Sequence, residues 1–230
     1  MYISSDGLYF LLIAVFALSV IASNRVNSVF KKFSREPAAS GKTGAELARE
    51  LMMRYGTEEL PVEPVAGSLT DHFDPVNNRV GLSEAVYGSS SVSALAVTAH
   101  EIGHVLQYQE NYAPIVIRNK ILPVASISSS IAPYIVILGV VIGAAQLAMI
   151  GVILFGAVLL FQLVTLPVEF NASNRGIEML ASGGYLTNDQ IPDAKRMLRA
   201  AAMTYVWAAV ASLINFLRFF AMAKNSDRRR

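Results

Sequence analysis

Five consecutive residues, His100-Glu101-Ile102-Gly103-His104, hold the densest group of chemically useful side chains in the sequence. Two histidines four residues apart stack on one face of an α-helix, close enough for both imidazoles to reach one tetrahedral ion. A glutamate directly after the first histidine lies beside that ion without binding it and can act as general base toward an activated water. Gly103 leaves room close to the backbone. The chain has three histidines, so two of the three stand at ligand spacing. A chance string would leave two imidazoles and a carboxylate among Ala, Val, Leu and Ile with nothing to offset their burial.

A catalytic zinc site takes three protein ligands and keeps one position open. Cysteine is absent, so nitrogen and oxygen donors must complete the set. One candidate is Glu169, in Leu-Pro-Val-Glu-Phe-Asn-Ala-Ser-Asn-Arg at the edge of a long uncharged run, where an acid wants a partner. The rival is His72, within Asp71-His72-Phe73-Asp74-Pro75. That cluster, Asp74 included, can equally supply an oxyanion stabiliser, a second metal site or an Asx-rich turn.

The elements that must position these residues follow from composition. The 230 residues are 53% hydrophobic and 16% charged, unlike an ordinary soluble domain. The excess lies in the runs Gly7 to Asn24, Ile121 to Val168 and Ala200 to Leu217, and about 20 apolar residues cross a bilayer core as a helix. The middle run is twice that length and reads as a hairpin, Pro123 to Gly143 out and Leu147 to Leu166 back, with Gln146 at the turn. Lysines and arginines follow the first run (Arg25, Lys31, Lys32, Arg35) and none precedes it. That order is wrong for a signal peptide and puts the run's C-terminal side in the cytoplasm. Arg118 and Lys120, and then Arg175, Lys195, Arg196 and Arg199, agree with it. A fourth crossing would carry Lys224 and Arg228 to Arg230 outside, against that rule. Because Arg218 interrupts the run, the segment either lies obliquely, stops short or lines a polar cavity.

In the polar region, Ser34 to Gly41 reads as a linker, and Thr43 with Glu46 forms a capping box before a helix that stops at Gly56. Val62 to Val65 and Arg79 to Leu82 read as strands separated by the turn-rich Asp71 to Asn78. Ser91 opens the helix that carries His100 and His104. The strand Arg79-Val80-Gly81-Leu82 offers an edge to which an extended peptide substrate can pair. The reading is a mainly α, multi-pass cell-membrane protein of about four transmembrane helices with a small α+β, zincin-like cytoplasmic catalytic domain. Its parts are an N-terminal transmembrane helix (1–24), the catalytic domain (25–118), a transmembrane hairpin (119–167), a cytoplasmic helical segment with the third ligand (168–199), and a last transmembrane helix with a basic tail (200–230). A net charge of +2 gives no nucleic-acid footprint.

Four segments together resemble the YugP-type neutral zinc metallopeptidases: Asp71-His72-Phe73-Asp74-Pro75, Val80-Gly81-Leu82-Ser83, Ala99-His100-Glu101-Ile102-Gly103-His104 and Leu166-Pro167-Val168-Glu169-Phe170-Asn171-Ala172-Ser173. The likeness covers nearly the whole chain. It implies one Zn2+ per chain, a gluzincin-like metalloendopeptidase activity on peptides or membrane proteins, and residence in the lipid bilayer. The plan is more distantly similar to the HtpX-like membrane peptidases, in which a downstream Glu on a second helix completes the site, the position of Glu169 here. In those relatives an Asp four residues further on orients a ligand histidine. Ser173 stands at that position, so Asn171, Ser173 or a backbone carbonyl is left to do so. Two other classes compete. A catalytically silent zinc-binding membrane scaffold or chaperone expects a damaged base, and Glu101 is intact. A transporter expects ionisable residues inside its crossings, and Ile121 to Val168 has none.

Overall fold

A computed structural model describes residues 5–57 and 60–227. Residues 1–4 and the basic tail Arg228 to Arg230 lie outside the described residues. The elements run α1 (Ser5–Phe33), α2 (Gly44–Arg54), β1 (Val62–Val65), β2 (His72–Asp74), β3 (Arg79–Ser83), α3 (Glu84–Tyr87), α4 (Val92–Gln109), α5 (Ala113–Val141), α6 (Ala145–Ser182) and α7 (Ile191–Asp227). Four of the helices, α1, α5, α6 and α7, are long and apolar enough to cross a membrane. Two compact units result. One takes the described parts of Met1–Ile21, Val116–Leu166 and Thr204–Arg230, the other Ala22–Ile115 and Pro167–Met203.

The first unit has the packing of helices in lipid. Ala132, Val136, Ala148, Val152 and Phe155 interlock between α5 and α6, joined by Phe219 and Ala223 of α7. Small residues let the backbones approach: a Cβ on Gly139 would strike the Ala148 backbone, and one on Gly151 would come within 2.7 Å of Val136. Ile127, Tyr134, Leu138 and Ile153 point outward, the expected direction for side chains facing lipid tails. Residues 142–144 turn the hairpin. Gly143 takes φ 70°, and the bonds Gly143 N–H to Val140 O and Ala144 N–H to Gly139 O close α5 as a Schellman motif. Gln146, expected at the turn, is therefore already inside α6. Arg218 is accommodated on α7 by aromatic faces, 5.4 Å from the Tyr9 ring centroid and 4.9 Å from that of Phe219.

In the second unit, side-chain caps start α2 and α4. The Thr43 hydroxyl accepts from Glu46 N–H at 3.3 Å and the Glu46 carboxylate accepts from Thr43 N–H at 2.8 Å, the expected capping box of α2. Ser91 accepts from Ala94 N–H at 3.3 Å and caps α4. The sheet order is β1-β3-β2, with β1 parallel and β2 antiparallel to β3. Two expectations change. His72 to Asp74, expected within a turn, form β2; the turn proper is Pro75 to Asn78, where the Asp74 carboxylate accepts from the N–H groups of Val76 and Asn77. And Arg79 to Leu82 lie in the central strand: both edges of β3 are already hydrogen-bonded, so it has none to offer a substrate.

The helices run through the four boundaries drawn from hydropathy. Residues 24 and 25 lie within α1, 118 and 119 within α5, 167 and 168 within α6, and 199 and 200 within α7. A helix satisfies its own backbone whether its side chains face lipid or water, so a change in side-chain polarity does not end it. Pro167 does not end α6 either.

Leu47, Leu51 and Met52 of α2, Val80 and Leu82 of β3, Leu95 and Ile102 of α4, and Met179 and Leu180 of α6 form one core. Burying side chains of this size is worth about 1.5–3 kcal/mol each. Within this core α4 and α6 touch backbone to backbone. A Cβ on Gly103 would lie 2.6 Å from the Ala172 carbonyl oxygen, and one on Gly176 would lie 3.1 Å from His100 N. Gly103→Val should force the pair apart and cost about 1–3 kcal/mol. The expected readout is a lower melting temperature of the detergent-solubilised protein, with Gly88→Ala, which meets no atom within 4 Å, unchanged. Equal melting of Gly103→Val and parent would refute the close contact.

Candidate metal centre

Position 100 of α4 and position 169 of α6 face each other across the glycine contact. His100 and His104 project one above the other, with ring centroids 4.7 Å apart and ring planes nearly perpendicular. Glu169 enters between them, its Oε2 lying 3.4 Å from His100 Nε2 and 3.7 Å from His104 Nε2. Ligand atoms of the three residues all fall within 4.8 Å of one another. Glu169 is 3% exposed, and its Oε2 is buried with no hydrogen-bond partner. An anionic oxygen left bare in this way is costly.

A cation held there would answer that cost. Zinc with bonds of about 2.0–2.1 Å spaces tetrahedral donors about 3.3 Å apart, near the two separations observed. Two imidazole nitrogens and one carboxylate oxygen are donors that zinc accepts, so the residues present fit such an ion.

Around these three, the far nitrogens of the rings are occupied. His100 Nδ1 is 3.1 Å from Ser173 Oγ, and His104 Nδ1 is 3.0 Å from Gln107 Oε1. Ser173 thus stands beside one of the two histidines of the group. Gln107 is the partner that sequence reasoning did not single out. Its signal was available: it follows His104 by three residues, the spacing that shares a helix face, and it is a polar side chain in an apolar helix. Asn171, expected as an alternative partner of a histidine, instead accepts from Gln107 Nε2 at 2.9 Å.

Glu101 follows His100 on α4 and is 7% exposed. Burial pushes its carboxyl above the usual range. The His100 and His104 rings oppose that shift, while the Asp71 and Glu169 carboxylates add to it. Asp71 had been noted only as part of a cluster; its carboxylate accepts from Ser83 N–H at 2.7 Å and from the Ser83 hydroxyl.

His72 is not part of the three-residue group. Its Nδ1 lies 2.8 Å from Thr70 O, and its ring covers Gly81. Asp74 fastens the β2–β3 turn, and hydrogen bonds from Asn77 pull its carboxyl down to about 2. Arg79 pairs with Glu63 at 3.0 Å and Asp74 at 3.5 Å.

A family model described as "Putative neutral zinc metallopeptidase" matches residues 8–224. The chain belongs to that family. The neutral zinc metallopeptidase match takes in α4, the sheet and most of the four long helices. A relative from Bacillus subtilis (strain 168), named "Putative membrane protease YugP", is 47% identical over 216 residues, covering 94% of this chain and 96% of the relative. Together with the four apolar helices, that name points to a membrane protein. No solved structure matches.

Elemental analysis of the purified protein tests the metal group. The parent should carry about one zinc per chain, Glu169→Ala should lose it, and His72→Ala should keep it. Loss on removing His72 alone would move the third ligand to β2.

Proposed function

We propose that the protein is a zinc-dependent endopeptidase in which His100, His104 and Glu169 bind the metal and Glu101 is the general base. The observation that carries this reading is the bare, buried Glu169 Oε2 between two imidazole nitrogens, with a second buried carboxyl, Glu101, next to His100. Membership of a zinc metallopeptidase family supports it.

A zinc ion held there acts as a Lewis acid, polarising the scissile carbonyl and making a water acidic enough to be deprotonated near neutral pH. Glu101 accepts the proton of the attacking water and returns it to the leaving amine nitrogen. Burial keeps bulk water from short-circuiting the exchange.

An extended substrate requires a free strand edge. β1 contains Pro64, which has no N–H to donate. β2 is the other outer strand, and it packs on α4 through the Phe73 and Tyr108 rings, 5.7 Å apart. The reading therefore assigns backbone pairing with a peptide or membrane-protein substrate to β2, not β3. The positive charges after the first apolar run support a cytoplasmic site.

Two outcomes are expected. Glu101→Gln should retain zinc while peptide hydrolysis falls by at least about 100-fold; near-parental turnover would remove Glu101 from the mechanism. For sidedness, the natural absence of cysteine makes Val76→Cys, at an 87% exposed position, a clean reporter. A membrane-impermeant maleimide should label it in inverted vesicles and leave it untouched in intact protoplasts. The reverse pattern would put the site outside.

A further inference from the structure

Gln107 is fully buried, with 0% exposure, and every hydrogen-bonding atom of its amide is engaged. Nε2 donates to Val168 O at 2.8 Å and to Asn171 Oδ1 at 2.9 Å. Oε1 faces His104 Nδ1 at 3.0 Å. An amide can be turned end for end, but here chemistry forbids it. The Val168 carbonyl oxygen can only accept, so the atom facing it must be the NH2 group.

Asn171 is fixed in the same sense. Its Oδ1 also accepts from Arg175 Nε at 2.8 Å, and a guanidinium has donors only. Arg175 is in turn clamped by Glu110, with NH1 to Oε1 at 2.9 Å and NH2 to Oε2 at 2.8 Å, the bidentate geometry that holds a guanidinium in one orientation.

With Nε2 committed at both hydrogens, Gln107 can present only an acceptor to His104. A neutral imidazole meeting an acceptor at Nδ1 must carry its proton there. His104 Nε2 is then a bare lone pair, directed toward the space it shares with Glu169 Oε2 and His100 Nε2. Ser173 imposes no such choice on His100, because a hydroxyl can donate or accept.

We infer that Gln107 is a positioning residue that locks His104 in the Nδ1–H tautomer, so that its Nε2 is ready to bind metal before any metal arrives. Val168, Asn171, Arg175 and Glu110 hold the Gln107 amide in the orientation this requires. The inference rests on the metal-site reading above for its purpose, but not for its test. Loss of such a partner costs about 10–100-fold in metal affinity. The Val168 carbonyl alone already dictates the amide's orientation, so cutting the outer end of the relay should matter less than removing Gln107.

The full-length protein in detergent, with histidine labelled in 15N, has three imidazoles to assign. In the metal-free protein at alkaline pH, where the rings are neutral, His104 should give the resonance pair of the Nδ1–H tautomer. Gln107→Met keeps the bulk but not the hydrogen bonds. It should lose that tautomer preference and weaken zinc binding by about 10–100-fold at unchanged helix content, whereas Arg175→Met should weaken it less. An Nε2–H tautomer at His104 in the parent, or parental zinc affinity in Gln107→Met, overturns the proposal. If Gln107→Met fails to fold, the parent's tautomer still decides. If the parent binds no zinc, the metal-site reading falls, and the tautomer measurement stands apart from it.

Discussion

The site in the second unit depends on the contact between α4 and α6, where two glycines remove the side chains that would otherwise separate the backbones. Gly103 meets Ala172 and Gly176 meets Ala99 and His100. Each contact lies beside a residue of the metal group. On α4 the positions 100, 103, 104 and 107 share one face, and on α6 the positions 169, 172, 173 and 176 do the same. The two stripes interlock as one unit. An added methyl at either glycine acts on the same distance that separates Glu169 Oε2 from the histidine nitrogens, since interiors this dense transmit small displacements. The apolar core of α2, β3 and α4 supplies the burial that holds the stripes together.

That packing also sets the electrostatics. It buries the Glu101 and Glu169 carboxyls and leaves Oε2 of the second without a hydrogen-bond partner. Buried charge of this kind destabilises a fold unless another charge answers it. Elsewhere in the unit the same chain satisfies its acids locally: Asp71 through Ser83, Asp74 through its own turn, and Glu110 through Arg175. Among the described residues the buried carboxylate oxygen without a hydrogen-bond partner is that of Glu169, at the place where a cation fits, and polar partners lie on the far side of the histidine rings.

Hydropathy and helix boundaries answer to different physics, and α6 makes the difference plain. Its apolar stretch and Glu169 belong to one uninterrupted helix, although the side chains change character at Val168. The hairpin turn shows the reverse case. There a local signal, Gly143 in a left-handed conformation, governs where α5 stops, and a polar residue such as Gln146 does not. Arg218 follows from neither rule alone: its charge is held over the ring of its neighbour Phe219 and over that of Tyr9, which packing brings to it.

Local chemistry was legible in the residues themselves. The spacing of His100, Glu101 and His104, the capping box at Thr43 and Glu46, the opening of α4 at Ser91 and the long apolar runs all depend on neighbours within a few positions, and a helix or a bilayer reads those directly. The relation of Glu169 to the histidines was open on spacing alone, with His72 as its rival. Strand order was not legible, because pairing depends on which edges meet, and an order of β1-β3-β2 moved the free edge away from Arg79 to Leu82. Gln107 escaped notice for a related reason. Its meaning comes from Val168 and Asn171, some sixty residues away in sequence, and only the close approach of two helices turns a glutamine three residues beyond a histidine into the group that dictates where that histidine keeps its proton.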